Sequence, residues 1–386
     1  MADDMLSRIR VMASKGELER RWQAVREAMQ AEGLDYLLMQ NFTRFHNGYI
    51  KWFTDSSRYQ TVIFPRSEDM TAIMHGPWEE SAGPHGIKRQ ISLPSMPPLE
   101  YTVAYDAEVV VEELGKHKNP RIGLLGMGRL TAGFYRYITG HLDGAKFTSA
   151  ANLVDRIKAV KSREELEHIR EIAALQDETF KYACSVIRPG RRDFEVFADI
   201  TRQCMSTGSE EVNLMVGSAP PGVPIMGSDL HTGNRVMGEG DQVAMLIESN
   251  GPSGIYTEIM RTVCIGKIAA ALQDQFEVAI ELQKVTLGML KPGADTRAIW
   301  EANNEFLRSR GYAEEKRLLM HGMGYDMVER PCVQPGETLK IEAGMNIAGH
   351  ATVLSDKAIA AVCENYLVTG NGVECLHKTP QRVLVL

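Results

Sequence analysis

The chain of 386 residues has a formal net charge of −7, with 24% charged and 44% hydrophobic residues. This length predicts two domains, or one large domain with a smaller one attached. The acidic balance argues against nucleic acid as a partner. No apolar run is long enough to cross a bilayer, and the N-terminal MADDMLSRIR has no hydrophobic signal core. We therefore expect a cytoplasmic protein without membrane association.

The six cysteines are scattered along the chain, and none forms a CxxC pair. This usage predicts reduced, buried thiols without a chemical role. The residues concerned are Cys184, Cys204, Cys264, Cys332, Cys363 and Cys375.

The first part of the chain alternates amphipathic helices with short apolar strands. A helical pattern over residues 17–33 ends at Gly33, and the apolar run DYLLMQ follows it. Further apolar runs are TVIFP, TAIMH and RIGLLG. This alternation predicts a smaller α/β domain over residues 1–155, with strands buried on both faces.

A long helix then begins at Ser162, which forms a capping box with Glu165, and ends before Arg188-Pro189-Gly190. Two more helices are predicted over residues 272–290 and 295–311. The strand-like segments are QVAMLIES, IYTEIMRTVCIG, TLKIEAGMNIAG, KAIAAVCENYLVT and QRVLVL. Helices followed by such strands predict an α+β domain over residues 156–386, with a curved antiparallel sheet.

Ionisable residues recur inside the predicted buried strands of this second domain. Glu248, Glu258, His350 and Glu364 each lie in an apolar segment, and His321 lies in the glycine-rich MHGMGYD. Burying a charged group is costly unless it is paired, hydrogen-bonded or bound to metal. Taken together, these residues predict one shared polar site.

The second half resembles the pita-bread fold shared by creatinase, aminopeptidase P, prolidase and methionine aminopeptidase. The matching segments occur in the family's order, and the N-terminal half resembles the creatinase-type N-terminal domain. The segments are GEGDQVAMLIE, GIYTEIMRT, HGMGYDMVERP, EAGMNIAGH and CENYLVT in the second half, and GLDYLLMQ and NGYIKWFTD in the first. The resemblance implies a cytoplasmic, homodimeric enzyme that acts on a small molecule.

The family's dinuclear metal site uses two aspartates, a histidine and two glutamates. By resemblance these fall on Glu248, Glu258, His321, His350 and Glu364, so only His321 and Glu364 keep the family's residue type. Glutamate is one methylene longer than aspartate, and a histidine replaces one glutamate. The standard two-metal peptidase site is therefore not expected here.

Two interpretations remain open. In the first, the site is metal-free, as in creatinase and ectoine hydrolase, with His231 shuttling protons and Glu248 acting as base or nucleophile. In the second, Glu258, His321, His350 and Glu364 hold one zinc, iron or manganese ion. In both, Glu364 helps to position the substrate or attack it.

Three further residues are predicted to contact substrate. Trp52 and Arg58 suit a charged ligand, and Glu329 is retained from the family's pattern. Val328 stands where the peptidases of the family place a second histidine, which makes peptide cleavage less favoured.

The sequence thus predicts a hydrolase of an amide or amidine C–N bond in a small non-peptide or modified amino-acid substrate. Alternatives are an Xaa-Pro peptidase-like metallohydrolase, a lyase of the dimethylsulfoniopropionate lyase type, and a non-catalytic binding protein.

Overall fold

A computed structural model describes residues 10–41, 47–77, 80–94, 103–225 and 233–386. The described chain forms two compact units. The N-terminal unit is Met12–Lys158, and the C-terminal unit is Ala159–Leu386 together with Arg10 and Val11. The boundary thus follows Lys158, close to the predicted residue 155.

The N-terminal unit begins with a capped amphipathic helix. Ser14 accepts a hydrogen bond from the Glu17 amide at the helix start, and Gly33 ends the helix with a φ of 66°. The elements are α1 Lys15–Glu32, β1 Tyr36–Gln40, α2 Gly48–Thr54, β2 Thr61–Pro65, β3 Met70–His75, β4 Ile87–Leu93, α3 Val103–Leu114, β5 Arg121–Leu125, α4 Ala132–His141, β6 Lys146–Ser149 and α5 Ala151–Ala159.

The strands of this unit form one mixed sheet in the order β4-β3-β2-β1-β5-β6. The pairs β1–β2 and β2–β3 are antiparallel, and the other neighbours are parallel. Leu38, Ile63, Leu124, Phe134 and Ile138 belong to its buried core. The predicted α/β class is therefore confirmed.

The C-terminal unit begins with two long helices and continues as a sheet. The Ser162–Glu165 capping box is present at its first helix. The elements are α6 Arg163–Val186, α7 Asp193–Ser206, β7 Val212–Ala219, β8 Gln242–Asn250, β9 Tyr256–Cys264, α8 Ala270–Met289, α9 Thr296–Ser309, β10 Met320–Gly322, β11 Glu329–Cys332, β12 Asn346–Leu354, β13 Ile359–Val368, β14 Val373–Cys375 and β15 Leu384–Val385.

The sheet of the C-terminal unit follows the order β11-β10-β12-β13-β9-β8-β7, with β14 on β13 and β15 on β9. All neighbours along that order are antiparallel, as predicted. The predicted segments TLKIEAGMNIAG and QRVLVL are strands only in their later parts. The predicted hairpin between β8 and β9 is present, and Gly254 takes a φ of 77° in its turn.

One face of this sheet is covered by helices. Met245 and Ile259 pack into a core shared with residues of α6 and α7, and Val353 and Val362 pack into a core shared with residues of α8. Because side chains alternate between the two faces of a strand, the neighbours of these residues lie on the opposite face. Among the described residues, no helix combines the length and apolar character needed to span a bilayer.

Candidate functional site

The opposite face of the C-terminal sheet collects ionisable side chains from neighbouring strands. Glu248 of β8 is directly across from Glu258 of β9, and His350 of β12 is directly across from Cys363 of β13. Cys363 is in turn across from Met260, two residues after Glu258 on β9. His321 of β10 completes the group. We call Glu248, Glu258, His321, His350 and Cys363 the polar cluster.

The polar atoms of the cluster lie within contact distance of one another. His350 Nε2 is 2.9 Å from Glu258 Oε1 and 3.1 Å from His321 Nε2. The thiol of Cys363 donates to Glu258 Oε1 and lies 3.9 Å from His350 Nε2. His321 Nε2 is 3.9 Å from Glu258 Oε2. Glu258 Oε1 and the Nε2 atoms of both histidines thus lie around one point, a position that a cation can take.

A backbone contact fixes the tautomer of His321. Its Nδ1 lies 2.9 Å from the carbonyl oxygen of Gly322. Because a carbonyl oxygen only accepts, Nδ1 must carry the proton, and the lone pair of Nε2 then points to the cluster. Burial lowers the pKa of His321, and the neighbouring His350 adds to this, while Glu258 opposes it. His321 is therefore held as a neutral imidazole, the form that binds metal.

Glu258 is the centre of the cluster. Its side chain is fully buried, lies 2.9 Å from His350 Nε2, and shares a hydrogen bond with the facing carboxyl group of Glu248. Burial alone would raise the pKa of Glu258, but His350 and His321 outweigh it and leave the pKa below its usual range. An ionised, buried carboxylate beside two imidazoles and a thiol is a strong candidate ligand for a cation.

The pKa of Glu248 is shifted in the opposite direction. Burial raises its pKa, and the facing charge of Glu258 raises it further, while the Asn213 side-chain amide donates to its Oε2 and opposes the rise. Ionising both of two carboxyl groups that face each other in a buried site is energetically costly. Glu248 therefore holds a proton beside the ionised Glu258.

Glu364 is not brought to the cluster. It follows Cys363 on β13 and therefore lies on the helix-covered face of the sheet. There its carboxylate accepts from Arg261, Tyr366 and Gln381, and the side chains of Glu364 and Arg261 are both fully buried. The geometry thus corrects the predicted catalytic and ligand roles of Glu364, because a one-residue step along a strand reverses the side-chain direction.

The polar cluster meets the requirements of a metal site. Glu258, His350 and Cys363 each offer a ligand atom, and these atoms all lie within 4.8 Å of one another. His321 presents a fourth donor beside them. Imidazole, carboxylate and thiolate are the ligands of protein zinc sites. His350 is the member most open to solvent, with a side chain that is 22% exposed.

The three predicted substrate contacts have structural roles or lie at the surface. Trp52 is 1% exposed, and its ring packs in the N-terminal unit against Phe53, with the Arg21 guanidinium 5.4 Å from the ring centre. The structure therefore corrects its role from pocket wall to core residue. Arg58 is exposed in the same unit. Glu329 accepts from Lys161 Nζ at 2.7 Å in a buried ion pair.

The remaining sequence predictions concern His231 and Val328, and two residues of the site were not predicted. His231 lies outside the described residues, so its proton-shuttling role stays a prediction. Val328 is half exposed. Asn213 and Cys363 were missed as site residues. Cys363 could have been found only from the register of β13, because the choice between Cys363 and Glu364 depends on which of them faces His350.

Comparison with known proteins agrees with this fold. The model of metallopeptidase family M24 matches residues 167–370. An uncharacterized peptidase, YqhT, of Bacillus subtilis is 21% identical over 266 residues, which are 67% of this chain and 73% of that protein. A probable dipeptidase, PepE, of Mycobacterium tuberculosis is 25% identical over 242 residues, 61% of this chain and 63% of that protein.

The crystal structure of dipeptidase PepE from Mycobacterium ulcerans has the same fold. It superposes with a TM-score of 0.78 at 21% identity, covering 97% of this chain and 99% of that one. Because the family match spans more than half of the sequence, this chain belongs to metallopeptidase family M24 and is an enzyme of the creatinase and pita-bread superfamily.

Proposed function

We propose that this enzyme hydrolyses a C–N bond of a small non-peptide or modified amino-acid substrate with one divalent metal ion. The observation that supports it best is the buried carboxylate of Glu258, which has the Nε2 atoms of two histidines beside it. Membership of family M24 agrees with a metal-dependent hydrolase.

Glu258, His321 and His350 would hold the ion. When bound, it supplies Lewis-acid polarisation of the substrate's carbonyl or amidine carbon and activation of a water molecule. The ligands' own contacts suit this role. The carbonyl of Gly322 orients His321, and the partial exposure of His350 leaves one side of the cluster open to a small substrate.

Glu248 is proposed as the proton donor and acceptor. It faces Glu258 across β8 and β9, and the Asn213 amide fixes its carboxyl group. Attack of water on the carbon would release one water proton, which His231 is proposed to take. The protonated carboxyl group of Glu248 would then deliver its proton to the leaving nitrogen as the C–N bond breaks, and its carboxylate would recover a proton from His231. The oxygen of water thus ends on the carbon, one water proton replaces the proton given to nitrogen, and the other stays with the product or goes to solvent.

The non-peptide substrate is proposed from the loss of a histidine. Val328 stands where the resemblance places an imidazole that stabilises the tetrahedral intermediate of peptide cleavage, and its side chain has no hydrogen-bonding group. Hydrolysis of Xaa-Pro peptides is the second candidate, because a relative from Pyrococcus furiosus, 23% identical over 249 residues, is named Xaa-Pro dipeptidase. We also propose a cytoplasmic homodimer.

Metal analysis and product analysis test the proposal together. Protein purified without chelator should contain one divalent ion per chain, and product formed in ¹⁸O-labelled water should gain solvent oxygen. Glu248→Gln should lower kcat by about 10²–10⁴-fold, whereas Glu301→Gln on exposed α9 should not change it. Full activity in metal-free protein would favour the metal-free mechanism, and product without solvent oxygen would favour a lyase.

A further inference from the structure

We infer that Cys363 is a protein ligand of this ion, so that the site is a Glu–His–His–Cys site with a thiolate in place of a second carboxylate. This inference rests on the proposed metal dependence and specifies its chemistry. The family resemblance implies the neighbouring Glu364 as the last ligand.

The first support is the position of Cys363 in the sheet. It is 1% exposed, directly across from His350 on one side and from Met260 of the Glu258 strand on the other. Its Sγ contacts Glu258 Oε1 and lies 3.9 Å from His350 Nε2. The other fully buried thiols differ, since Cys204 and Cys264 pack inside apolar cores.

The second support is the spacing of the donor atoms. A tetrahedral ion with bonds of about 2.0–2.3 Å separates its ligand atoms by about 3.2–3.8 Å. The cluster has separations of 2.9 Å between His350 and Glu258, 3.1 Å between the two imidazoles, and 3.9 Å from His350 to Cys363 and from His321 to Glu258. These four separations bracket the range that a tetrahedral ion sets.

The third support is the position of Glu364, the other ionisable residue in this part of β13. Glu364 cannot complete the site, because its carboxylate is occupied on the helix-covered face by Arg261, Tyr366 and Gln381. Cys363 is therefore the group on β13 that is available to the ion.

A thiolate ligand has a consequence for metal choice. Sulfur is a soft ligand that favours zinc and cobalt, whereas manganese and magnesium favour oxygen ligands. We therefore expect the full-length protein to bind zinc or cobalt at least tenfold more tightly than manganese. Cys363→Ser replaces the sulfur by oxygen, and Cys363→Ala removes it. Both substitutions should reduce the preference for zinc or cobalt over manganese.

Cobalt is the probe for the test. Full-length protein freed of metal is titrated with Co²⁺ and its absorbance is recorded. Wild type and the matched control Cys264→Ser should show both visible d–d bands and a near-ultraviolet sulfur-to-cobalt charge-transfer band. Cys363→Ser and Cys363→Ala should lack the charge-transfer band and bind Co²⁺ at least tenfold more weakly.

Two outcomes overturn different steps. Wild-type protein with cobalt d–d bands but no charge-transfer band would remove Cys363 from the site and leave the metal site itself standing. Wild-type protein that binds no Co²⁺ would overturn both this inference and the proposed metal dependence. Because both readouts come from the wild type, they do not depend on the folding of any variant.

Discussion

Replacing Glu364 by glutamine tests whether this residue supports the fold or serves the site. Its carboxylate accepts from Arg261 Nη2, the Tyr366 hydroxyl and the Gln381 amide, and neither Glu364 nor Arg261 is exposed. Glutamine keeps the size of the side chain but removes its charge. It also places an NH₂ group where one oxygen accepted hydrogen bonds.

The expected cost follows from the partners that Arg261 retains. Removing one member of a buried ion pair costs about 3–5 kcal/mol. The guanidinium still donates to carbonyl oxygens of Met260 at 2.8 Å, Cys363 at 3.0 Å, Thr379 at 3.1 Å and Pro380 at 3.0 Å. We therefore expect the lower end, about 3 kcal/mol, which lowers the Tm of a unit of this size by about 6–12 °C.

Thermal unfolding followed by circular dichroism measures this cost, and metal content is measured on the same samples. Glu364→Gln should melt earlier while binding Co²⁺ as tightly as wild type. Tyr366→Phe, which removes one donor to Glu364, should cost only about 1 kcal/mol. If Glu364→Gln keeps its Tm and loses the metal, then Glu364 is the ligand that the resemblance implied and our assignment of the two faces is wrong.

Three other predictions concern stability. Burial opposes ionisation of Glu337, but Arg330 and backbone amides outweigh it and lower its pKa from 4.5 to about 2. The stabilisation that ionised Glu337 provides is complete above pH 4.5 and is lost as the pH falls through 2. Glu337→Gln should therefore lower the free energy of unfolding by about 1–3 kcal/mol at pH 7. Urea unfolding should show that this difference between wild type and variant disappears in acid. A Cβ on Gly324 would lie 2.6 Å from both Glu329 Oε2 and Lys161 Nζ. Gly324→Ala should therefore lower the free energy of unfolding by about 1–3 kcal/mol. An unchanged midpoint of urea unfolding would contradict this close packing. Zn²⁺ at a hundred times its Kd should stabilise metal-free protein by about 2.7 kcal/mol, and an unchanged Tm would count against the metal site.

The sequence was sufficient for the fold because local and global signals agree. The Ser162–Glu165 capping box begins α6 at the predicted place, and Gly33 ends α1 in the left-handed conformation. The glycine-containing turn before β9 is also where the pattern placed it. These features depend on residues close in the chain. For that reason they could be predicted without knowing which strands become neighbours.

The site could be predicted only in part, because side-chain direction depends on register. Glu248 and Glu258 were expected in one site, and they do face each other across β8 and β9. The prediction for β13 is wrong, because it places the ionisable Glu364 in the site and gives its neighbour Cys363 no chemical role. Only the pairing of Cys363 with His350 decides between them, and that pairing is a long-range property of the folded sheet.

The facing glutamates also explain why one ion is favoured over two. A pair of bridged ions needs two ionised carboxylates facing each other, with the cations offsetting their repulsion. Here the imidazoles and the thiol all converge on Glu258, whereas the partner that contacts Glu248 on its other side is the neutral amide of Asn213. The donors are therefore distributed unequally between the two carboxyl groups. Glu258 has the surroundings of a ligand, and Glu248 has those of a group that keeps and transfers a proton.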